Sequence, residues 1–211
     1  MTRSIDLNSD LGEGYGPWRA GDDAAMLGLV SSANIACGGH AGDPEAMVET
    51  VSLAKARGVV VGAHPGYADR EGFGRRIIPC TSREIERFTA VQIGALMGAA
   101  ALAGASVAYV KPHGALGNLA CDDRDVADAI ARAVAAVSRD LAVLAISGTE
   151  LEPAASACGL SVHSEIFADR AYLPNGRLVP RSHAGAMIHD ADAASQRLVD
   201  MLDTGLMPTL D

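Results

Sequence analysis

At 211 residues the chain has room for one medium domain with a core large enough to fold unaided. Hydrophobic residues make up 49% and charged residues 20%, an ordinary globular balance, and with only 4% aromatics the helices are expected to pack closely on small side chains. The formal net charge of −9 argues against nucleic acid as a partner, because phosphate binding needs clustered Lys and Arg.

The first apolar segment predicts a strand over 3–8. Ile5 and Leu7 share one of its faces and Asp6 and Asn8 the other, so packing Ile5 and Leu7 under helices turns Asp6 and Asn8 inward. Asp10 and Glu13 fall in the next loop, where Gly12 and Gly14 permit a tight turn. Asp10 has a plain reading as a turn residue, whereas a carboxylate inside a barrel needs a partner. A second strand, 30–36, runs into "NIACGGHAGDP", which places Asn34, Cys37, His40 and Asp43 before the next helix. Asp43 is explained as a helix cap with Pro44 at the first position, and Gly58 ends that helix. Cys37 reads as a small buried residue. His40, between glycine-containing pairs, is free to be aimed at a ligand.

The third strand, 59–63, precedes the long polar loop "GAHPGYADREGFGRR". Pro65 forces His64 out of helical geometry. Arg70, Arg75 and Arg76 can clamp an anion or simply face solvent. Thr81 or Ser82 opens a helix that buries Ile85, Phe88 and Leu96 and stops before Gly104. A fourth strand, 106–111, ends in "KPHGAL", where Lys111 serves as a charge clamp or a base and His113 follows closely. Asp122 or Asp123 starts a helix with the stripe Val126, Ile130, Val134 and Val137. Strands at 141–147 and 161–167 come next, the second carrying Glu165, Asp169 and Arg170 near its end, and a weaker strand is expected over 185–189. Asp190 caps the last helix, with Leu198, Val199 and Leu202 along it and Gly205 as its stop.

Repeated βα units imply parallel strands joined by right-handed crossovers. No G-x-G-x-x-G follows the first strand and no G-x-x-x-x-G-K-[ST] occurs, so nucleotide-binding open sheets lose ground. A (β/α) barrel accounts better for polar residues at many strand ends, because it gathers them at one face. The residues alone therefore point to an α/β barrel with a hydrolase-like pocket of carboxylates, histidines and a lysine. With no linker or internal repeat, residues 1–211 are expected to form a single β/α-barrel domain. Four separated cysteines read as free thiols in a reducing compartment. With no apolar leader and no window near the ~18 apolar residues of a membrane span, a cytoplasmic location and no membrane are expected.

The segments "IDLNSDLGEGYG", "SSANIACGGHAGDP", "VGAHPGYADREGFGRR", "YVKPHGAL", "SEIFADRAY" and "GAMIHD" resemble the LamB/YcsF family. That resemblance implies a distorted (β/α) barrel of the glycoside hydrolase/deacetylase-like kind, and an A-subunit role in ATP-dependent conversion of 5-oxo-L-proline to L-glutamate by a 5-oxoprolinase. It implies partner subunits B and C, with ATP handled as a co-substrate by the partners and ring opening by the A chain of the complex. Carried over by motif, the catalytic candidates are Asp10, Glu13, His40, His64, Lys111 and His113, with Asn8 and Arg70 for substrate binding and no metal assigned. Where family members usually continue with Tyr-Asn after "KPHGAL", this chain has Gly117 and Asn118. Members usually add a further βα unit, so the barrel is expected to be incomplete, with the final βα unit missing. The alternatives are a metal-dependent deacetylase-like hydrolase using Asp10, His64 and His113, and a non-catalytic scaffold subunit.

Overall fold

In the computed structural model, which describes residues 4–210, six strands alternate with helices along the chain. The strands are β1 (Asn8–Leu11), β2 (Ser32–Ala36), β3 (Val60–His64), β4 (Val107–Val110), β5 (Ala142–Ile146) and β6 (Val162–Glu165). They pair in chain order, each parallel to the next, into one curled sheet that makes a half-barrel. The helices are α1 (Asp23–Met26), α2 (Pro44–Ala56), α3 (Ser82–Leu102), α4 (Gly114–Ala120), α5 (Arg124–Val137), α6 (Leu151–Ala157) and α7 (Ala191–Thr204).

Local chemistry explains the boundaries. Asp43 caps α2 by accepting from Ala46 N at 2.9 Å, and Pro44 occupies the first turn, where its missing N–H costs nothing. Thr81 and Glu84 form a reciprocal capping box at the start of α3. Asp123 accepts from the amides of Asp125 and Val126 to open α5. Gly58, Gly104 and Gly205 follow α2, α3 and α7 with positive φ, the conformation in which a helix terminates most easily on glycine. All five residues of β2 are buried, as befits a strand covered on both faces. The core lies between the sheet and helices α2, α3, α5 and α6, and its many alanines let α3 and α5 pack closely.

Two expectations need correction. Of the strand expected over 3–8, residue 3 lies outside the described residues, and among those described the strand begins only at Asn8, because ladder pairing with β2 starts at Asn8↔Ser32. Ile5 and Leu7 consequently do not pack under helices but stand 49% and 51% exposed. The segment 185–189 forms no strand; its pairing is a single bridge from Met187 to Arg170. Cys37, Cys80, Cys121 and Cys158 are free thiols. Among the described residues, no helix is long and apolar enough to cross a membrane.

Candidate active site

The register puts Asp10 beside Asn34, Asn34 beside Gly62 and Gly62 beside Tyr109. Residues on one rung of a parallel sheet share a face, so this row lines the inner wall. Gly62 has no side chain, and the Tyr109 ring fills the space that a Cβ there would need. The ring thereby reaches across β3, and Tyr109 OH donates to Asn34 Oδ1 at 2.7 Å. Asn34 Nδ2 in turn donates to Asn8 Oδ1 at 2.7 Å and to Asp10 Oδ1 at 2.9 Å.

Lys111 enters this wall from the end of β4. Val110 is fully buried on the helix side, so alternation turns Lys111 inward, where its side chain is 12% exposed. Its Nζ donates to Glu165 Oε1 at 2.6 Å and Asn8 Oδ1 at 3.1 Å, and lies 3.7 Å from Asp10 Oδ1. One side chain thus ties β4 to β6 and β1 across the interior. Asp6, expected to turn inward with Asn8, accepts from the hydroxyls of Ser31 and Ser32 and does not reach Lys111.

The three buried histidines meet beside this bridge. His64 donates Nδ1–H to the Lys111 carbonyl at 2.7 Å, and His113 donates Nε2–H to the Phe73 carbonyl at 2.9 Å, since carbonyls only accept. Their other nitrogens, His64 Nε2 and His113 Nδ1, then face each other at 2.9 Å. Asp10 Oδ1 lies 3.3 Å from His64 Nε2, and Glu13 Oε1 lies 3.7 Å from His113 Nδ1. His40 stacks on His113 with ring centres 3.5 Å apart, and its Nε2 sits 3.0 Å from Glu13 Oε1. Gly74 packs under both rings; a Cβ on it would come 2.6 Å from His40 Cβ. Next to it, Phe73 holds a left-handed φ of 54°, an uncommon conformation for a non-glycine residue.

Burial pushes the His40 and His113 imidazoles down to about 3, helped by the neighbouring His64 ring. Burial raises the Glu13 carboxyl, and the nearby Asp10 adds to the rise. For Asp10, burial pulls upward, but His64, Lys111 and Asn34 outweigh it and hold the carboxyl well below the usual range. Its side chain is 39% exposed, and it opens on a cavity of about 520 Å³. That cavity is walled by His64, His113 and Lys111 and by Arg75, Arg170 and Arg181. Burial lowers the Arg170 guanidinium, as do the nearby Arg181 and Arg75, while Asp169 opposes them. Arg170 donates from Nη2 to the Val179 carbonyl, and its buried Nε has no partner among the described residues. Beyond the Lys111–Glu165 bridge lies a second cavity of about 910 Å³, reached by Asp6, Asn8 and Tyr109.

Six of the sequence candidates, Asn8, Asp10, Glu13, His64, Lys111 and His113, come together here, and His40 stands directly behind them. Arg70 does not: its guanidinium stacks on Tyr15 at 3.7 Å and donates to the carbonyls of Gly38 and Gly42. Asn34 and Glu165 were visible near strand ends without being chosen, and Tyr109 gave no signal beyond its neighbour Lys111. Gln92 was also missed; its amide pins the loop after β3 by accepting from Gly66 N and donating to Gly66 O. Burial pushes the Cys37 thiol up to about 12, so Cys37 is a packed core residue.

A parallel half-barrel with a histidine–carboxylate–lysine cluster at the carboxyl ends of its strands defines a β/α-barrel protein with its polar site in the usual place. The chain belongs to the LamB/YcsF family, which it matches over residues 5–211. It is 54% identical over 203 residues to a protein named as the A subunit of 5-oxoprolinase from Nitrobacter hamburgensis, covering 96% of this chain and 80% of that one. It is 51% identical over 208 residues to one of the same name from Gluconobacter oxydans, covering 99% and 82%. A crystal structure of Lactam Utilization Protein from Thermus thermophilus superposes with a TM-score of 0.95 at 45% identity, covering 99% of this chain and 85% of that one.

Proposed function

We propose that this chain is the A subunit of an ATP-dependent 5-oxoprolinase, a hydrolase that opens the lactam of 5-oxo-L-proline to give L-glutamate. The observation that carries the reading is identity above 50% to relatives bearing that name, along nearly the whole chain. The chemistry at the strand ends suits it. A lactam resists water, but phosphorylating its carbonyl oxygen opens the carbon to attack and makes that oxygen a leaving group. The phosphorylation falls to partner subunits B and C, in keeping with the absence of a phosphate-loop sequence from this chain. Water then adds to the activated carbon and the ring C–N bond breaks, after which a second water releases phosphate.

Within this scheme Asp10 takes the proton of the attacking water, because it opens on the cavity whereas Glu13 lies behind it. Lys111 Nζ faces the negative charge that develops on oxygen, and Asn8 and Glu165 hold it in place. Arg170, Arg181 and Arg75 receive the substrate carboxylate. Residues 1–211 act as one domain, in the cytoplasm. The test is reconstitution: the chain is combined with candidate B and C subunits, and glutamate release from 5-oxo-L-proline is followed with and without ATP. Release that requires this chain, ATP and both partners is expected. Full activity of the B and C subunits without this chain would overturn the proposal.

A further inference from the structure

The buried histidines contain a conflict that their hydrogen bonds make visible. His64 is committed as a donor at Nδ1 by the Lys111 carbonyl, and His113 at Nε2 by the Phe73 carbonyl. A neutral imidazole carries one N–H, so the inner nitrogens both present lone pairs, 2.9 Å apart. Two carboxyl groups lie on that inner side: Glu13 Oε1 is 3.7 Å from His113 Nδ1, and Asp10 Oδ1 is 3.3 Å from His64 Nε2. Two lone pairs and two carboxylates converging on one point repel each other unless something positive sits among them. A hydrogen supplied to one imidazole, or a cation held by both, relieves the conflict.

The geometry favours the cation, and we propose that His64 Nε2, His113 Nδ1 and Glu13 Oε1 bind a divalent transition-metal ion of the zinc class. Donor atoms from Glu13, His40, His64 and His113 all lie within 4.8 Å of one another. Donors about 2.1 Å from one ion stand roughly 3–3.5 Å apart, close to the separations seen here. Each histidine ligand donates its outer N–H to a backbone carbonyl, the arrangement that fixes the ring of a metal-bound imidazole. Two imidazoles and one carboxylate suit zinc, cobalt or nickel better than calcium or magnesium, which prefer all-oxygen shells. His40 is a positioning residue: its Nε2 holds Glu13 Oε1 and its ring backs His113. The remaining coordination position faces Asp10 and the cavity, where an ion would add Lewis acidity to the site. The proposal stands on these side chains alone and is independent of the lactam reading.

The test needs neither ATP nor substrate. The full chain, with any purification tag removed, is stripped with a chelator and titrated with zinc by calorimetry and with cobalt by visible absorption. One ion per chain is expected, with cobalt giving the strong visible bands of a low-coordinate site, a raised melting temperature on zinc addition, and no effect of magnesium. Glu13→Gln, which keeps the shape of the side chain, is expected to weaken zinc at least tenfold. His40→Ala should weaken it by about ten- to a hundredfold, the range for residues that orient ligands. His113→Ala should abolish binding, with circular dichroism confirming the fold. No binding by the parent chain, or binding unchanged in Glu13→Gln and His113→Ala, overturns the proposal and assigns the inner position to a proton. Glutamate release in the reconstituted complex is scored separately, so either result leaves the other readable.

Discussion

Lys111 ties the end of β4 to β1 and β6 across the interior. It bridges three strands, and its partner Glu165 is only 5% exposed along its side chain. Removing one member of such a pair leaves the other buried without compensation, at a cost of about 3 kcal/mol. Lys111→Met is therefore expected to lower the melting temperature and to cut ATP-coupled glutamate release at least ~100-fold. Adding Glu165→Gln should restore most of the stability but none of the turnover. If the double variant also recovers activity, Lys111 is structural. The direction of Lys111 was legible in the sequence, because Val110 is apolar and neighbours in a strand face opposite ways. Its partner was not, since Glu165 lies 54 residues away. The histidines were likewise readable as strand-end residues. Which nitrogen of each turns inward depends on the carbonyls of Lys111 and Phe73, and residue type says nothing about those. Arg70 shows the converse: its charge suggested an anion, but an aromatic face and two carbonyls hold it instead.

The elements differ in how plainly their causes appear. Helices α2, α3 and α7 start and stop at residues whose side chains or backbone freedom dictate it, and α5 starts at one, so those boundaries could be read directly. Thr81→Ala removes half of the α3 capping box and is expected to cost about 1 kcal/mol, a fall of about 3 °C in Tm by calorimetry. Strand β1 was misplaced because alternation at Ile5 to Asn8 looks the same whether or not a neighbour is there to pair with. Gly62 was invisible for a similar reason, as its role lies in the ring of the next strand. Gly62→Ala should push the Tyr109 ring off β3, break its bond to Asn34 and cost about 2 kcal/mol, or about 6 °C in Tm. An unchanged Tm would mean that the ring has another place to go.

For the molecule as a whole, the division of labour with partners makes a simple prediction. The isolated chain is expected to give no heat of binding with ATP in calorimetry, although its cavity is lined with arginines; micromolar affinity would place nucleotide chemistry on this chain. The parallel barrel class was legible from the alternation of short apolar runs with capped helices, whereas the curl that brings β6 within reach of β1 depends on twist accumulated along all six strands. The two lips of that curl also bear on how the protein behaves when crowded. Long, flat, apolar lips recruit strands from other chains and seed fibres. Here each lip is four residues long and polar over most of its length, with Asn8, Ser9 and Asp10 on one side and His163, Ser164 and Glu165 on the other. Edges so short and polar offer neighbouring molecules little template for growth.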